Sequence, residues 1–173
     1  MSAITATQLG TSSEDPVGPA GEEAGWLPCM TARFGDVSVR ETSVIAFPDG
    51  LIGLGGSRYA LLSTDPDSPF MWLQSLENPG IALPVCNPHR FFGDFTVELS
   101  DDEAAHLSLT GTPEADVLVT ITASATLREF TANLKAPILV RDGQAHQVIN
   151  QARSARVKTP LFTSEDSRLD AAR

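Results

Sequence analysis

The most reactive side chains of this sequence are few and widely separated. They are three histidines and two cysteines, namely His89, His106, His146, Cys29 and Cys86. The cysteines form no CxxC pair, have no histidine at zinc-site spacing and allow at most one disulfide. Because Cys86 follows the apolar run 81–85, we expect its thiol to pack as a small buried hydrophobic group.

Cys86 and His89 come nearest to a nucleophile with its base. Against this pairing, Pro88 lies between them, no third group is placed to orient the histidine, and apolar neighbours raise the pKa of a thiol. The three histidines fall in a predicted loop, helix and strand, so a triad requires that they converge in the fold. The sequence therefore favours a protein that is not an enzyme.

The acidic run 101–103 is compatible with a divalent-cation site or with the first turn of a helix. Ser100 at the N-cap and Glu103 at the capping-box position favour a helix over residues 100–107, whose positive end suits the acidic charges. The glycine-rich stretch 50–56 lacks GxGxxG spacing and the Lys-Ser/Thr ending of a P-loop, so it predicts tight turns at a barrel corner. We expect neither a metal nor a cofactor.

The composition argues against several classes of function. There are 12 Lys and Arg against 22 Asp and Glu, a net charge of −10. This opposes direct binding to nucleic acid, which needs clustered basic residues to displace counterions. No segment approaches the roughly 20 apolar residues that span a membrane, and the N-terminus lacks a signal-peptide pattern, so we expect a cytoplasmic protein.

The length of 173 residues and the hydrophobic fraction of 42% fit one domain with a conventional core. We predict a disordered acidic extension at residues 1–29, because residues 1–25 contain four acidic residues, no Lys or Arg and little apolar content. An interaction tail is the alternative for this extension. Residues 30–152 are predicted to form the β domain, and residues 153–173 a flexible tail.

Short segments of β character follow one another between these ends, each closed by Gly, Pro, Asn or Asp. The predicted strands are residues 33–39, 43–47, 59–63, 70–76, 81–86, 95–99, 117–125, 131–134, 138–141 and 146–150. Strands and helices do not alternate, which argues against a parallel doubly wound sheet. The sequence therefore predicts a mostly β protein, a small antiparallel β-barrel-like domain with one short helix.

Segment 70–76 is apolar on both faces of its predicted strand. Alternation places Phe70, Trp72, Gln74 and Leu76 on one face and Met71, Leu73 and Ser75 on the other. Such a strand is either covered on both sides or half core and half docking surface. The segment 131–137 has one polar face with Asn133 and Lys135, which suits either recognition of a partner or ordinary solvation.

Four segments together resemble the motifs of the bacterial flagellar assembly factor FliW family, and they occur in the same order. They are residues 47–53 (FPDGLIG), 68–79 (SPFMWLQSLENP), 131–138 (TANLKAPI) and 147–149 (QVI). The similarity covers about residues 31–150, and the WLQS and TANLKAP stretches are its most specific parts. The sequence departs from the family pattern at residues 54–56 and 84–86 and in its long acidic N-terminus.

The resemblance implies a compact, non-enzymatic β-barrel-like protein. It implies binding to flagellin and, when flagellin has been exported, binding to the CsrA-type translational repressor, which relieves repression of flagellin mRNA. Combined with the two-faced pattern of segment 70–76, it leads us to expect a protein-binding surface. The expected contact residues are Phe47, Pro48, Phe70, Trp72, Gln74, Asn133 and Lys135.

Two other functions fit a small β-barrel. A flavin- or nucleotide-binding barrel enzyme is the main alternative, because such barrels often hold these ligands. Direct RNA binding by an open barrel is the other, but the sequence lacks the alternating basic and aromatic residues that stack bases.

Overall fold

The computed structural model describes residues 5–6, 25–107 and 115–162. The strands are β1 (Thr5–Ala6), β2 (Trp26–Thr31), β3 (Gly35–Arg40), β4 (Val44–Ala46), β5 (Arg58–Ser63), β6 (Phe70–Ser75), β7 (Ala82–Cys86), β8 (Asp116–Thr122), β9 (Thr131–Ala132), β10 (Ile138–Arg141), β11 (Gln144–Gln147) and β12 (Thr159–Pro160). The described ranges contain one α-helix, α1 (Asp101–His106), and 3-10 turns at Glu41–Ser43, Pro88–Arg90 and Leu127–Glu129.

Seven strands close into a barrel in the order β10-β11-β4-β5-β6-β7-β8, and β8 pairs with β10 to complete the ring. Neighbouring strands are antiparallel except at β11 and β4, which are parallel and meet at Gln144 and Ala46. A tight turn at Asp142 and Gly143, with φ of 51° and 74°, joins β10 to β11 and has the form favoured in two-residue hairpins. The predicted fold class, a mostly β barrel with one short helix, is confirmed.

The interior of the barrel is filled by side chains from all seven of these strands. They include Ile45, Tyr59, Leu61, Leu73, Val85, Leu118, Ile138 and Ala145, with Phe47 and Leu51 from the loop after β4. Strand alternation then directs Ala60 and Leu62 of β5 to the outside, where they join a second apolar cluster. Strand β5 is thus buried on both faces.

A β-hairpin covers the outside of β5 and β6. Among the described strands, β2 and β3 pair only with each other, and they pack Cys29 and Val39 against Ala60, Leu62 and the half-buried Trp72. The sequence did not predict β2, whose exposed face consists of Trp26, Pro28 and Met30. The strand predicted at 33–39 begins instead at Gly35, which takes a φ of 73° at the hairpin turn.

The folded part is longer than predicted at both ends. β2 begins at Trp26. β1 pairs with Leu62 and Ser63 at the end of β5, whereas β4 pairs with residues 58–60 at its start. At the other end Ala155 and Leu161 are buried, and β12 pairs with β9, so residues 153–162 pack over the outside of β7 and β8. The rest of the predicted extension, and the predicted tail after residue 162, lie outside the described residues.

The predicted strand at 95–99 is wrong, although Phe95 is buried. Its backbone forms hydrogen bonds with residues 150 and 151 in place of a neighbouring strand. The Glu98 N–H donates to Asn150 Oδ1, and the Gln151 N–H donates to the Glu98 carbonyl. The strand predicted at 146–150 lies instead at Gln144–Gln147. After Gln147, the N–H groups of Val148 and Asn150 donate to the carbonyls of residues 137 and 135, which precede β10 and are outside its pairing with β11.

Candidate functional site

Three of the four motif segments meet at one end of the barrel through the side chain of Gln147. Its Oε1 accepts a hydrogen bond from the Ile52 N–H at 2.9 Å, and its Nε2 donates to the Ala136 carbonyl at 3.2 Å. The loop 47–53, the segment 131–138 and the residues after β11 are therefore fixed to one another. A single amide can do this because it donates and accepts at the same time.

Asp49, in the first of these segments, lies between two histidines from different elements. Its Oδ2 is 3.0 Å from His146 Nδ1 on β11 and 3.4 Å from His106 Nε2 at the end of α1. Hydrogen bonds from His146 and then His106 lower the pKa of the Asp49 carboxyl, so it stays ionised to a lower pH than usual. We call Asp49, His106 and His146 the latch.

Helix α1 reaches the same end of the barrel through a second carboxylate. Ser100 and Glu103 form the predicted capping box, and Glu103 Oε1 also accepts a hydrogen bond from the Ile149 N–H at 3.0 Å. That N–H, followed by the bonds from Ser100, lowers the pKa of Glu103. The predicted helix cap is confirmed, and the acidic run 101–103 serves the helix start.

Apolar side chains are exposed around these polar contacts. Ile52 is 61% exposed and Ile149 is 38% exposed, and Pro48 is also exposed. Large apolar groups that lie in water beside polar neighbours mark a surface suited to contact with another protein. We call Pro48, Ile52 and Ile149 the barrel-end surface.

Two of the predicted contact residues are inaccessible, which corrects the sequence-based expectation. Phe47 is 1% exposed and packs edge-to-face on Tyr59 inside the barrel, with ring centroids 5.1 Å apart. Gln74 is fully buried, and its Nε2 donates to the carbonyls of Ser75 and Ile81 at 3.0 Å each. Gln74 therefore holds the turn after β6 together, and its polar character reflects that internal role.

Phe70 and Trp72 are half-buried under other parts of the chain. Trp72 packs edge-to-face against Phe34 at 5.7 Å, and the Arg33 guanidinium lies 4.3 Å from its ring centre. Phe70 stacks on Phe91 at 5.6 Å in the cluster outside β7 and β8. Of the two possibilities for strand 70–76, the structure favours the one in which both faces are covered.

Asn133 and Lys135 are half-buried and bonded within the chain. Asn133 Oδ1 accepts hydrogen bonds from the N–H groups of Lys135 and Ala136, both at 3.2 Å. Lys135 Nζ donates to the Asn150 carbonyl at 2.6 Å. Of the seven predicted contact residues only Pro48 is exposed, and it belongs to the barrel-end surface.

The latch and the exposed isoleucines were not singled out from the sequence. Asp49 is 57 positions from His106 and 97 positions from His146, so no local pattern connects them. The sequence feature that could have indicated this contact is the pair of motif segments 47–53 and 147–149. The sequence identified them as motifs but did not show that they are neighbours in the fold.

The cysteines and the remaining histidine carry no reactive arrangement in the described residues. Cys29 and Cys86 are free and buried, and desolvation raises the pKa of the Cys86 thiol to about 12. The ring of His89 packs edge-to-face against Phe95. The described ranges hold no group of three or more His, Cys, Asp or Glu with the geometry of a metal site. The filled barrel interior also does not favour the flavin- or nucleotide-binding alternative.

The fold and the site together define a small closed β-barrel protein whose exposed features suit contact with other macromolecules. The model of the FliW protein family matches residues 28–161. The chain therefore belongs to the FliW family, and the resemblance found in the sequence is confirmed.

Named relatives and a solved structure agree with this assignment. The chain is 32% identical over 134 residues to the flagellar assembly factor FliW of Geobacter sulfurreducens, covering 76% of this chain and 84% of that protein. It is 37% identical over 144 residues to the flagellar assembly factor FliW of Bdellovibrio bacteriovorus, covering 80% and 81%. A crystal structure of the flagellar assembly factor FliW superposes with a TM-score of 0.68 at 28% identity, covering 80% of this chain and 99% of that one.

These relatives are named as assembly factors, which is a non-catalytic role. Within the described residues, no helix has the length and apolar character needed to cross a membrane.

Proposed function

We propose that this protein is a non-catalytic regulator of flagellar assembly that binds flagellin and, once flagellin has been exported, binds a CsrA-type translational repressor. By occupying the repressor it relieves repression of flagellin mRNA translation. Membership of the FliW family and the names of the relatives support the link to flagellar assembly. The two partners place this activity in the cytoplasm.

The observation that carries the proposal is the convergence of three motif segments on a surface with exposed apolar groups. We assign partner contact to the barrel-end surface, where the side chains of Ile52 and Ile149 are exposed and the Ile52 N–H is bonded to Gln147. Asn133 and Lys135 contribute indirectly, because Asn133 holds the loop before β10 in shape and Lys135 fixes that loop to the Asn150 carbonyl. We assign Phe70 and Trp72 a structural role, because they pack in the apolar clusters on the outside of the barrel.

Binding of each purified partner by isothermal titration calorimetry tests this assignment. We expect Ile52→Asp and Ile149→Asp to weaken binding of at least one partner roughly tenfold or more, about 1.4 kcal/mol, because a carboxylate cannot replace an apolar contact. Leu127→Asp is the matched control, since Leu127 is 60% exposed on a different element. Full binding of both partners by both isoleucine variants would contradict this assignment.

The regulatory part of the proposal is tested with flagellin leader RNA in a gel-shift assay. The repressor alone should retard the RNA, and addition of this protein should release it. This protein alone should leave the RNA mobility unchanged at any salt concentration, because its net charge is −10. Retardation of the RNA by this protein itself would contradict the proposal.

A further inference from the structure

Segment 151–162 concentrates positive charge in a protein whose net charge is −10. It contains Arg153, Arg156 and Lys158 and no acidic residue, and all three basic side chains are exposed. Within the described ranges, none of the three forms a salt bridge with a carboxylate. We call Arg153, Arg156 and Lys158 the basic edge.

The backbone that carries the basic edge is fixed to the folded domain. Ala155 and Leu161 are buried in the cluster outside β7 and β8, and β12 pairs with β9. The Arg156 carbonyl accepts hydrogen bonds from the N–H groups of Leu134 and Lys135 at 2.9 and 3.2 Å. Because this backbone is already ordered, binding a ligand here costs mainly side-chain entropy.

The motif segment 131–137 lies directly beside the basic edge and adds to its charge. Lys135 Nζ is bonded to the Asn150 carbonyl, an uncharged group that leaves the positive charge of the ammonium in place. Glu98 and Glu129 lie in neighbouring stretches of the chain, but neither forms a salt bridge with the basic edge in the part of the chain that the structure describes. The field at this surface is therefore locally positive.

The basic edge also follows a border of the sheet. β12 comes last in the order β8-β9-β12, so its other side has no strand partner among the described residues. Backbone groups at such a border can pair with an extended polypeptide. Val157, 61% exposed between Arg156 and Lys158, offers an apolar contact in the same place.

We propose that residues 153–160 form a docking site for an acidic, extended segment of a partner protein. Carboxylates of this segment pair with the basic edge, its backbone runs along the free side of β12, and an apolar side chain packs on Val157. A polypeptide fits better than a nucleic acid, because the exposed residues of segment 151–162 include no aromatic ring on which a base could stack.

The net charge of −10 does not prevent this contact. At physiological salt, exposed charges more than about 8 Å away are largely screened, so the local charge decides. The site shares no residue with the barrel-end surface, and the inference goes beyond the proposed function because its partner is defined by charge alone.

Fluorescence anisotropy with the full-length protein and a labelled, capped peptide of alternating Glu and Thr tests the docking site. We expect saturable binding that weakens as the salt concentration rises from about 50 to 300 mM, because the contact joins exposed charges. The same peptide with Gln in place of Glu is the control and should not bind.

Replacing all three residues of the basic edge by Gln should weaken binding of the acidic peptide roughly tenfold, the effect of three exposed ion pairs. Arg156 also donates a hydrogen bond to the Arg153 carbonyl, so the pair Arg153→Gln, Lys158→Gln keeps this bond and should still weaken binding roughly threefold. The matched control removes the same charge at exposed positions on other elements and should change the affinity less than about twofold. Its substitutions are Arg40→Gln, Arg58→Gln and Arg90→Gln.

Two results with the peptide would overturn the proposal, namely no saturable binding to the wild-type protein, or an equal loss of affinity in the basic-edge variant and the matched control. Single-stranded RNA and phosphatidylglycerol vesicles are measured in parallel. If either binds more tightly than the peptide and loses affinity in the basic-edge variant, the site recognises phosphate groups and the proposal is wrong.

Discussion

The hairpin β2–β3 and the helix α1 both cover part of the barrel, but they are held in opposite ways. The hairpin buries Cys29 and Val39 against the outside of β5 and β6, whereas no residue of α1 is fully buried, and only Glu103 and Ala104 are half-buried. Apolar burial does not depend on the charge state of any group, while exposed hydrogen bonds and ion pairs respond to pH and to competing partners. The comparison indicates that the hairpin is held mainly by apolar burial and that α1 is held mainly by polar contacts.

The largest effect should come from the hairpin side. Leu62→Ala removes a side chain that is 1% exposed between the hairpin and the barrel, and we expect a loss of about 2–5 kcal/mol in the free energy of unfolding. Urea denaturation followed by circular dichroism measures this loss. Leu127→Ala, at a position 60% exposed, is the control and should change stability little. A cost below about 1 kcal/mol for Leu62→Ala would show that packing under the hairpin contributes little to stability.

A smaller effect should follow from Gln74→Leu, which sharpens the distinction between structural and contact residues. The change removes the hydrogen bonds from Nε2 to the Ser75 and Ile81 carbonyls, but also removes Oε1, a buried atom with no hydrogen-bond partner in the part of the chain that the structure describes. We expect a net loss of about 1–2 kcal/mol in the free energy of unfolding, with affinity for both partners unchanged. Normal stability together with weaker partner binding would restore Gln74 as a contact residue.

The smallest effect should appear in the response of α1 and the latch to acid. Asp49 and Glu103 have lowered pKa values in the folded protein, so their contribution to stability is present above their unfolded pKa, about 4, and is lost as the pH falls through the lower folded values. The double variant Asp49→Asn, Glu103→Gln should therefore lose less stability than the wild-type protein between pH 5 and 3. Urea titrations at these pH values provide the comparison, and an equally steep decline in the variant would place the acid sensitivity in other carboxyl groups.

Local features of the fold were accessible from the sequence, and long-range ones were not. The capping box is an example of success, because Ser100 and Glu103 are three positions apart and need no other part of the chain. The two-faced pattern of strand 70–76 was also visible. What covers its outer face was not, because the covering hairpin packs there only in the folded protein.

The false strand at 95–99 and the missed latch have the same origin. In the first case the side chain of Asn150 replaces a ladder partner, and in the second Asp49 is joined to histidines 57 and 97 positions away. The family resemblance identified the right segments, but it could not tell that Phe47 and Gln74 point into the protein. Burial depends on packing that no single segment encodes.

The closure of the barrel has a consequence for how this protein is made. The joint between β4 and β11 brings residue 46 against residue 144, and Gln147 then reaches back to Ile52. Contacts between such distant positions form slowly, because a long loop must be ordered before they stabilise anything. While residue 147 of a nascent chain is still inside the ribosome, the barrel cannot close and the barrel-end surface cannot assemble. Binding competence therefore arises at a late step of synthesis, and an unfinished chain is poorly equipped to capture a partner.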